Sequence, residues 1–176
     1  MSAGRILTYR TQALADLKAL FPLLKDIDTH AGRFDDEEIG RLIMKAPALR
    51  LAYLGSPKTD ENQDGRLGCL AKFGVFIVTK DGEPMKRDAQ ALNIAEALLV
   101  AFDRYQPKVG GKTLSEAARN LRHDILYTSD TDKKGVLLTA VSWETKITIG
   151  ASFIMEGGAV LNELYINGEL VLEVAP

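Results

Sequence analysis

Few side chains in this sequence could do chemistry, and they are scattered. Cys69 is its single cysteine, and His30 and His123 are its two histidines. A thiol beside an imidazole makes a nucleophile and its base, but Cys69 sits in the apolar run LGCLAKFGVFIVT, where a free cysteine packs as a small hydrophobe. One cysteine forms no intrachain disulfide, and with two histidines it cannot complete a four-ligand zinc site. His30 lies in a polar connection without a metal-spaced partner, so it reads as a solvated or hydrogen-bonded side chain. DENQDG at 60–65 matches the first half of a calcium loop, with Asp60, Asn62 and Asp64 alternating before Gly65. Position twelve of that loop is Ala71, where a bidentate carboxylate belongs, so the stretch reads as an acidic exposed turn. GGKT at 110–113 ends like a phosphate-binding loop, but Gln106 takes the place of its first glycine. The run Asp35, Asp36, Glu37, Glu38 could form an acid/base pair or hold a metal. At a predicted helix start it has a simpler role, meeting the positive end of the helix dipole. No catalytic residue, cofactor or metal is expected.

The elements that carry these residues follow from hydrophobic spacing. Leu14, Leu17, Phe21 and Leu24 share one face of a helix over 8–21 that Pro22 ends. After the polar connection KDIDTHAGRF, Asp35 caps a second helix, Glu38 completes its capping box, and Ile39, Leu42 and Ile43 form its buried stripe. Pro47 closes that helix, and ALRLAYL alternates as a half-buried strand. Residues 55–65, GSPKTDENQDG, read as an exposed loop. In 67–79, one face carries Leu67, Cys69, Ala71, Phe73, Val75 and Ile77, and the other Leu70, Phe76 and Val78. That pattern predicts a central strand covered by helices on at least one side. A helix over 87–105, capped by Asp88, places Leu92, Ala95, Leu99 and Phe102 on one face. Residues 106–120 read as a loop with a short helical turn at LSEAAR, followed by a short strand at RHDILY. A long strand over 136–149 carries Leu137, Val141, Trp143, Ile147 and Ile149 on or near one face, with Trp143 as a large core or sheet residue. The last segment, LNELYI, Asn167-Gly168, ELVLEV, is a β-hairpin signal.

Composition narrows the function classes. The chain has 176 residues, 22 Lys+Arg against 24 Asp+Glu and 46% hydrophobic residues, the make-up of one soluble globular domain. A formal charge of −2 argues against a general nucleic-acid or membrane binder, which usually carries a basic excess. The N-terminus lacks a long apolar run and a cleavage site, and no stretch approaches ~18 uninterrupted apolar residues. A cytoplasmic product is expected, neither secreted nor membrane-spanning.

AGRFDDEEIGRLIMKAPALRLAYLG at 31–55, with its acidic helix start, its helix ending near Pro47 and its strand LRLAYLG, resembles the Mu-like phage and prophage tail terminator proteins. The resemblance continues through CLAKFGVFIV, AQALNIAEALLVAF and LLTAVSWETKI and covers residues 8–149. It implies an α/β (α+β) fold, a mixed, mainly antiparallel sheet with helices packed on it. One domain over 1–176 is expected, with 160–174 a C-terminal hairpin extension outside the resemblance. The implied function is structural: a hexameric ring on the head-proximal end of a phage tail that stops tube growth and offers the surface for head joining. The implied partners are copies of itself, the tail tube protein, and the sheath and head-completion proteins. The implied location is the virion tail, and the host cytoplasm during assembly.

The 55–66 loop, with Lys58, Asp60, Glu61, Asp64 and Arg66, is the expected contact with the tube or a neighbouring subunit, because a long polar loop between apolar strands is otherwise unexplained. The runner-up is a head–tail connector or another minor tail protein. The different-class alternative is a small enzyme using Cys69 or the Asp35–Glu38 cluster.

Overall fold

A computed structural model describes residues 4–31, 44–62, 65–82, 85–126 and 135–150, together with the backbone of two C-terminal strands. The chain begins with helix α1 (Arg5–Leu20), followed by β1 (Asp26–His30), β2 (Ala48–Glu61) and β3 (Leu67–Lys80). Helix α2 (Arg87–Phe102), the two-residue strands β4 (Lys108–Val109) and β5 (Lys112–Thr113), and β6 (Arg119–Ile125) come next. They are followed by β7 (Val136–Ile149), β8 (Glu163–Ile166) and β9 (Glu169–Glu173). Five strands form one sheet in the order β1-β2-β3-β7-β6. The β1–β2 pair is parallel and the other three are antiparallel. The fold is therefore α+β with a mixed, mainly antiparallel sheet.

Strand β3 is central, as its two apolar faces predict, and it pairs with β7 without a break from Leu67–Ile149 to Lys80–Val136. Side chains alternate across a strand, so Ala71, Phe73, Val75 and Ile77 share a face with Val141, Trp143 and Ile147. The buried stripes of α1 (Tyr9, Ala13, Leu17) and α2 (Ala91, Ile94, Ala95, Leu98, Phe102) lie against that face. The opposite face holds a smaller cluster of Ala48, Val78, Val136 and Leu138.

Several expectations change. The connection KDIDTHAGRF contains β1, whose only large apolar residue is Ile27 and which is held by parallel pairing to Ala48–Ala52. His30 is accordingly buried at the end of that strand. The half-buried pattern expected for ALRLAYL gives way to five consecutive buried residues, Ala48 to Ala52, as befits a strand flanked on both sides. The buried face of α2 is turned by one residue, leaving Leu92 56% exposed while Ala91 and Leu98 are buried. Asp88 lies in its first turn and Lys86 is the cap residue; the Arg87 N–H instead donates to Asp81 Oδ1 at 3.3 Å. At LSEAAR no helical turn forms. The chain makes the small β4–β5 hairpin at Gly110-Gly111, and Leu114 and Ala118 enter the core. The helix expected from Asp35 lies outside the described residues. The C-terminal hairpin is present: β8 pairs antiparallel with β9, with Ile166 opposite Glu169 across Asn167-Gly168.

An aromatic cluster ties α1 and α2 to the sheet. The Trp143 indole N–H donates to the Tyr9 hydroxyl at 3.0 Å. The Tyr105 hydroxyl, just beyond α2, donates to Asp16 Oδ2 at 2.5 Å. Burial raises the pKa of the Tyr9 phenol above its ordinary value, and the Trp143 hydrogen bond lowers it only in part. Tyr105 is raised too, first by burial and then by Asp16. Above pH ~10 an unfolded tyrosine loses its proton while buried Tyr9 keeps it. The stability Tyr9 confers is therefore complete below pH ~10 and falls by about 1.4 kcal/mol per pH unit above it. Urea unfolding at pH 8, 10 and 11, followed through the single tryptophan, is expected to show this loss. A flat profile would place Tyr9 in contact with solvent.

Candidate functional site

Strand pairing assembles the site. Strand β1 covers the outer side of β2 only as far as Ala52, opposite His30. From Tyr53 to Glu61, β2 runs on with β3 on one side and, among the described residues, no strand on the other. With the end of β7, it makes a three-stranded arm beyond the layered core. Residues 55–61 are thus strand where the sequence reads as loop. Pro57 and Gly55 look like loop punctuation, but the register shifts between Tyr53 and Gly55 and again between Gly55 and Lys58. These bulges absorb a residue that has no N–H and a glycine at φ 105°. The turn itself is short, with the Asn62 N–H donating to the Arg66 carbonyl at 2.8 Å and the Gly65 N–H to the Asn62 carbonyl at 3.0 Å.

On the arm, Lys58 lies opposite Leu70, Asp60 opposite Gly68 and Glu61 opposite Leu67. Lys58 Nζ stands 3.6 Å from Asp60 Oδ1, with both side chains exposed, an ion pair of little energetic weight in water. Arg66 is in the turn, and Asp64 lies outside the described residues. Four of the five expected contact residues are therefore brought together at one end of the sheet. On the core-facing side, Cys69 and Ile147 are buried and Leu67 and Ile149 half-buried. Charged residues and a proline on a free strand edge are the usual guard against indiscriminate pairing.

The arm is braced from the side. The Glu116 N–H donates to the Lys146 carbonyl at 2.9 Å, and the Thr145 hydroxyl donates to the Glu116 carbonyl at 2.7 Å. Arg5, at the start of α1, donates to the carbonyls of Thr113 and Leu114 at 3.3 and 3.2 Å. The far side of the sheet ends, among the described residues, at β6, where Arg119, Arg122 and Asp124 stand on a strand bulged at Asn120, whose φ is 54°. The charged pattern of RHDILY was visible in the sequence, but its place at the sheet edge was not.

The alternative chemistry does not come together. Cys69 pairs with Ile147 and His123 with Val141, six residues apart along β7, or roughly 20 Å at strand rise. Cys69 Sγ lies 2.7 Å from Ser56 Oγ, whose hydroxyl donates to the Leu70 carbonyl at 2.9 Å. Among the described residues the hydrogen-bond partner of the thiol is that hydroxyl, which is not a base. Asp35–Glu38 lie outside the described residues. Among the described residues no group of three or more His, Cys, Asp or Glu is placed to hold a metal ion. No helix there is long and apolar enough to cross a membrane.

No family model matches the chain. Over 113 residues it is 29% identical to the Mu-like prophage FluMu protein gp37 of Haemophilus influenzae, an alignment covering 63% of this chain and 56% of that protein. The chain thus spans little more than half the length of this curated relative. Among solved structures, a chain described only by a sequence number aligns with 84% of this chain and 96% of its own, at 16% identity and a TM-score of 0.48. A chain from the virion of a native gene transfer agent particle aligns with 80% of this chain and 90% of its own, at 12% identity and a TM-score of 0.44. At those values the structural alignments carry no argument, and the functional reading draws on the sequence relative and the arm.

Proposed function

We propose that this chain is a structural protein of a phage or prophage virion: a tail terminator that closes into a ring, hexameric as in the proteins it resembles, at the head-proximal end of the tail tube. The resemblance of residues 8–149 and the prophage relative support the setting. The observation that carries the assembly role is the outer edge of β2 from Tyr53 to Glu61, which has no strand beside it among the described residues and is carried on the unbroken β3–β7 ladder. A closed ring needs two different surfaces on opposite sides of each subunit, and the sheet supplies them as the β2 arm and the β6 edge. Lys58, Asp60, Glu61 and Arg66, together with Asp64 of the same sequence stretch, meet the tube or the neighbouring subunit there. Near-neutral overall charge suits a subunit that must lie against copies of itself.

Deleting residues 57–64 tests this reading. Most of the core lies behind the bulge at Gly55, with Ile147 beside Cys69 the exception, so the variant is expected to keep its circular dichroism spectrum while losing some stability. Rings seen by native mass spectrometry and negative-stain microscopy are expected to disappear, and tails assembled with the variant to lose their uniform length. Unchanged rings and unchanged tails would remove the arm from the mechanism. Cys69→Ser and Asp36→Asn are expected to assemble as the parent does, whereas an enzyme built on either group would lose its activity.

A further inference from the structure

The two outer edges of the sheet match in length. Along β2, the stretch Tyr53–Glu61 has no outer strand among the described residues, faces Leu67–Phe73 of β3, and is exposed from Pro57 to Glu61. Along β6, which faces Thr139–Glu144 of β7, there is likewise no outer strand among the described residues, and Arg119, Asn120, Arg122 and Ile125 are exposed. A strand edge presents a row of N–H and C=O groups that another strand can take up.

The edges also match in direction. The β2–β3, β3–β7 and β7–β6 pairs are all antiparallel, so β6 runs opposite to β2. Copies related by the rotation of a ring keep that relation, and β6 of one copy meets β2 of the next as an antiparallel strand.

Register then follows from what is already paired, with β3 as the ruler. Arg119 is level with Lys72 through Glu144, Arg122 with Gly74 through Ser142, and Ile125 with Ile77 through Thr139. β1 covers β2 up to Ala52, opposite Gly74, so an incoming Ile125 comes no nearer than Tyr53, opposite Phe73. The incoming strand must therefore slide outward by at least four residues. The slide must be even, because an odd one turns every side chain to the wrong face. A slide of six carries Arg119 past Leu67, where the arm ends. Four satisfies all three conditions.

At that register Ile125 stands opposite Tyr53 on the helix-bearing face, a favourable β-branched and aromatic pair. Arg119 stands opposite Asp60 on the other face. Lys58 stands opposite Arg122, and each cation brings its own carboxylate, Asp60 at 3.6 Å and Asp124 at 3.3 Å, so the signs alternate along both strands. The same charges repel strands that lack this pattern. A slide of four residues is about 13 Å along the strands, against about 19 Å across the repeat of β2, β3, β7 and β6. The resulting strand tilt is about 35°, as in sheets that close into barrels. We propose that β6 of one copy adds to the β2 arm of the next, with Arg119 beside Asp60, so that the sheets of the ring join into one closed wall.

The inference rests on the reading that copies of this chain assemble into a ring. It is tested on the full chain in a Cys69→Ser background carrying Asp60→Cys and Arg119→Cys, both at exposed positions. Mild oxidation of the assembled protein is expected to give disulfide-linked multimers on a denaturing gel. The pair shifted by two residues, Lys58→Cys with Arg119→Cys, is expected to cross-link at least tenfold more slowly. Faster linking of the shifted pair, or intact rings by native mass spectrometry with no linking of the matched pair, would overturn the edge pairing and leave the ring reading in place. A monomer at high concentration would overturn both. Hydrogen exchange on the unaltered protein is an independent check: amides across 53–61 and 119–125 are expected to exchange at least tenfold more slowly in the ring than in the dissociated subunit. Unchanged exchange at either edge in intact rings would also overturn the pairing.

Discussion

Replacing Trp143 by alanine is expected to destabilise the protein by about 3–5 kcal/mol, the usual cost of emptying a large aromatic site in a core. The indole is completely buried, with ring centroids 4.4 Å from Phe102 and 6.1 Å from Phe73. It also bonds to Tyr9, itself stacked on Phe73 at 4.6 Å. One side chain of β7 thus joins the central strand to both helices. Its removal leaves a void and strips the buried Tyr9 hydroxyl of its donor, a further penalty of about 1–3 kcal/mol where no water enters. Trp143→Phe keeps most of the packing and loses the hydrogen bond, so it is expected to cost about 1–2 kcal/mol. Urea titration followed by far-ultraviolet circular dichroism separates the two; a loss below about 1 kcal/mol for the alanine variant would show that the cluster is not the centre of the core.

Arg50→Ala is the second large effect, about 3 kcal/mol. Arg50 is a charged residue on a central stretch of β2 and is only 9% exposed. One Nη donates to Asp26 Oδ2 at 2.7 Å, and the other to the carbonyls of Leu49 at 2.9 Å and Asp26 at 3.3 Å. Removing one member of a buried pair strands the other, which typically costs 3–5 kcal/mol. The Asp26 side chain keeps some contact with water, 17%, which puts this pair at the lower end of that range. Replacing both residues by apolar ones, Arg50→Met with Asp26→Leu, is expected to recover most of the loss. A double-mutant cycle by denaturant titration checks this, and purely additive losses would mean that the two side chains do not act as a pair. The pair lies where β1 joins the sheet, so the single variants are also expected to speed amide exchange across Asp26–His30, a strand paired only with β2 among the described residues.

What could be read from the sequence follows from how each element is stabilised. β3, β7 and α2 are strongly apolar and periodic, and their existence, with the central position of β3, was legible from spacing alone. The hairpin at Asn167-Gly168 was legible from turn chemistry. β1 was not, because DIDTH has one large apolar residue and owes its conformation to a neighbour reached across 31–47. The distal half of β2 was hidden for the same reason. GSPKTDE carries the residue types of a loop, and only pairing to Leu67–Lys72 makes it a strand. That error bears on the proposed function: the residues expected to make contacts were placed on an exposed loop, where the structure has a strand edge braced by β3. The exposure of Leu92 was missed because it was assigned to the buried face of its helix, and Leu23, past Pro22, gave no sign of being bare.

The ladder between β3 and β7 has a mechanical consequence. It runs through fourteen consecutive residue pairs without a bulge, so a pull along the strands at the arm's tip is borne by all its rungs in shear at once. β2 is interrupted at Gly55 and held distally by fewer rungs, so it yields first. A subunit fixed to a tube through this arm would transmit tension into its core along β3 and β7, while β2 gives at its bulge and lets the tip tilt without unfolding the body behind it.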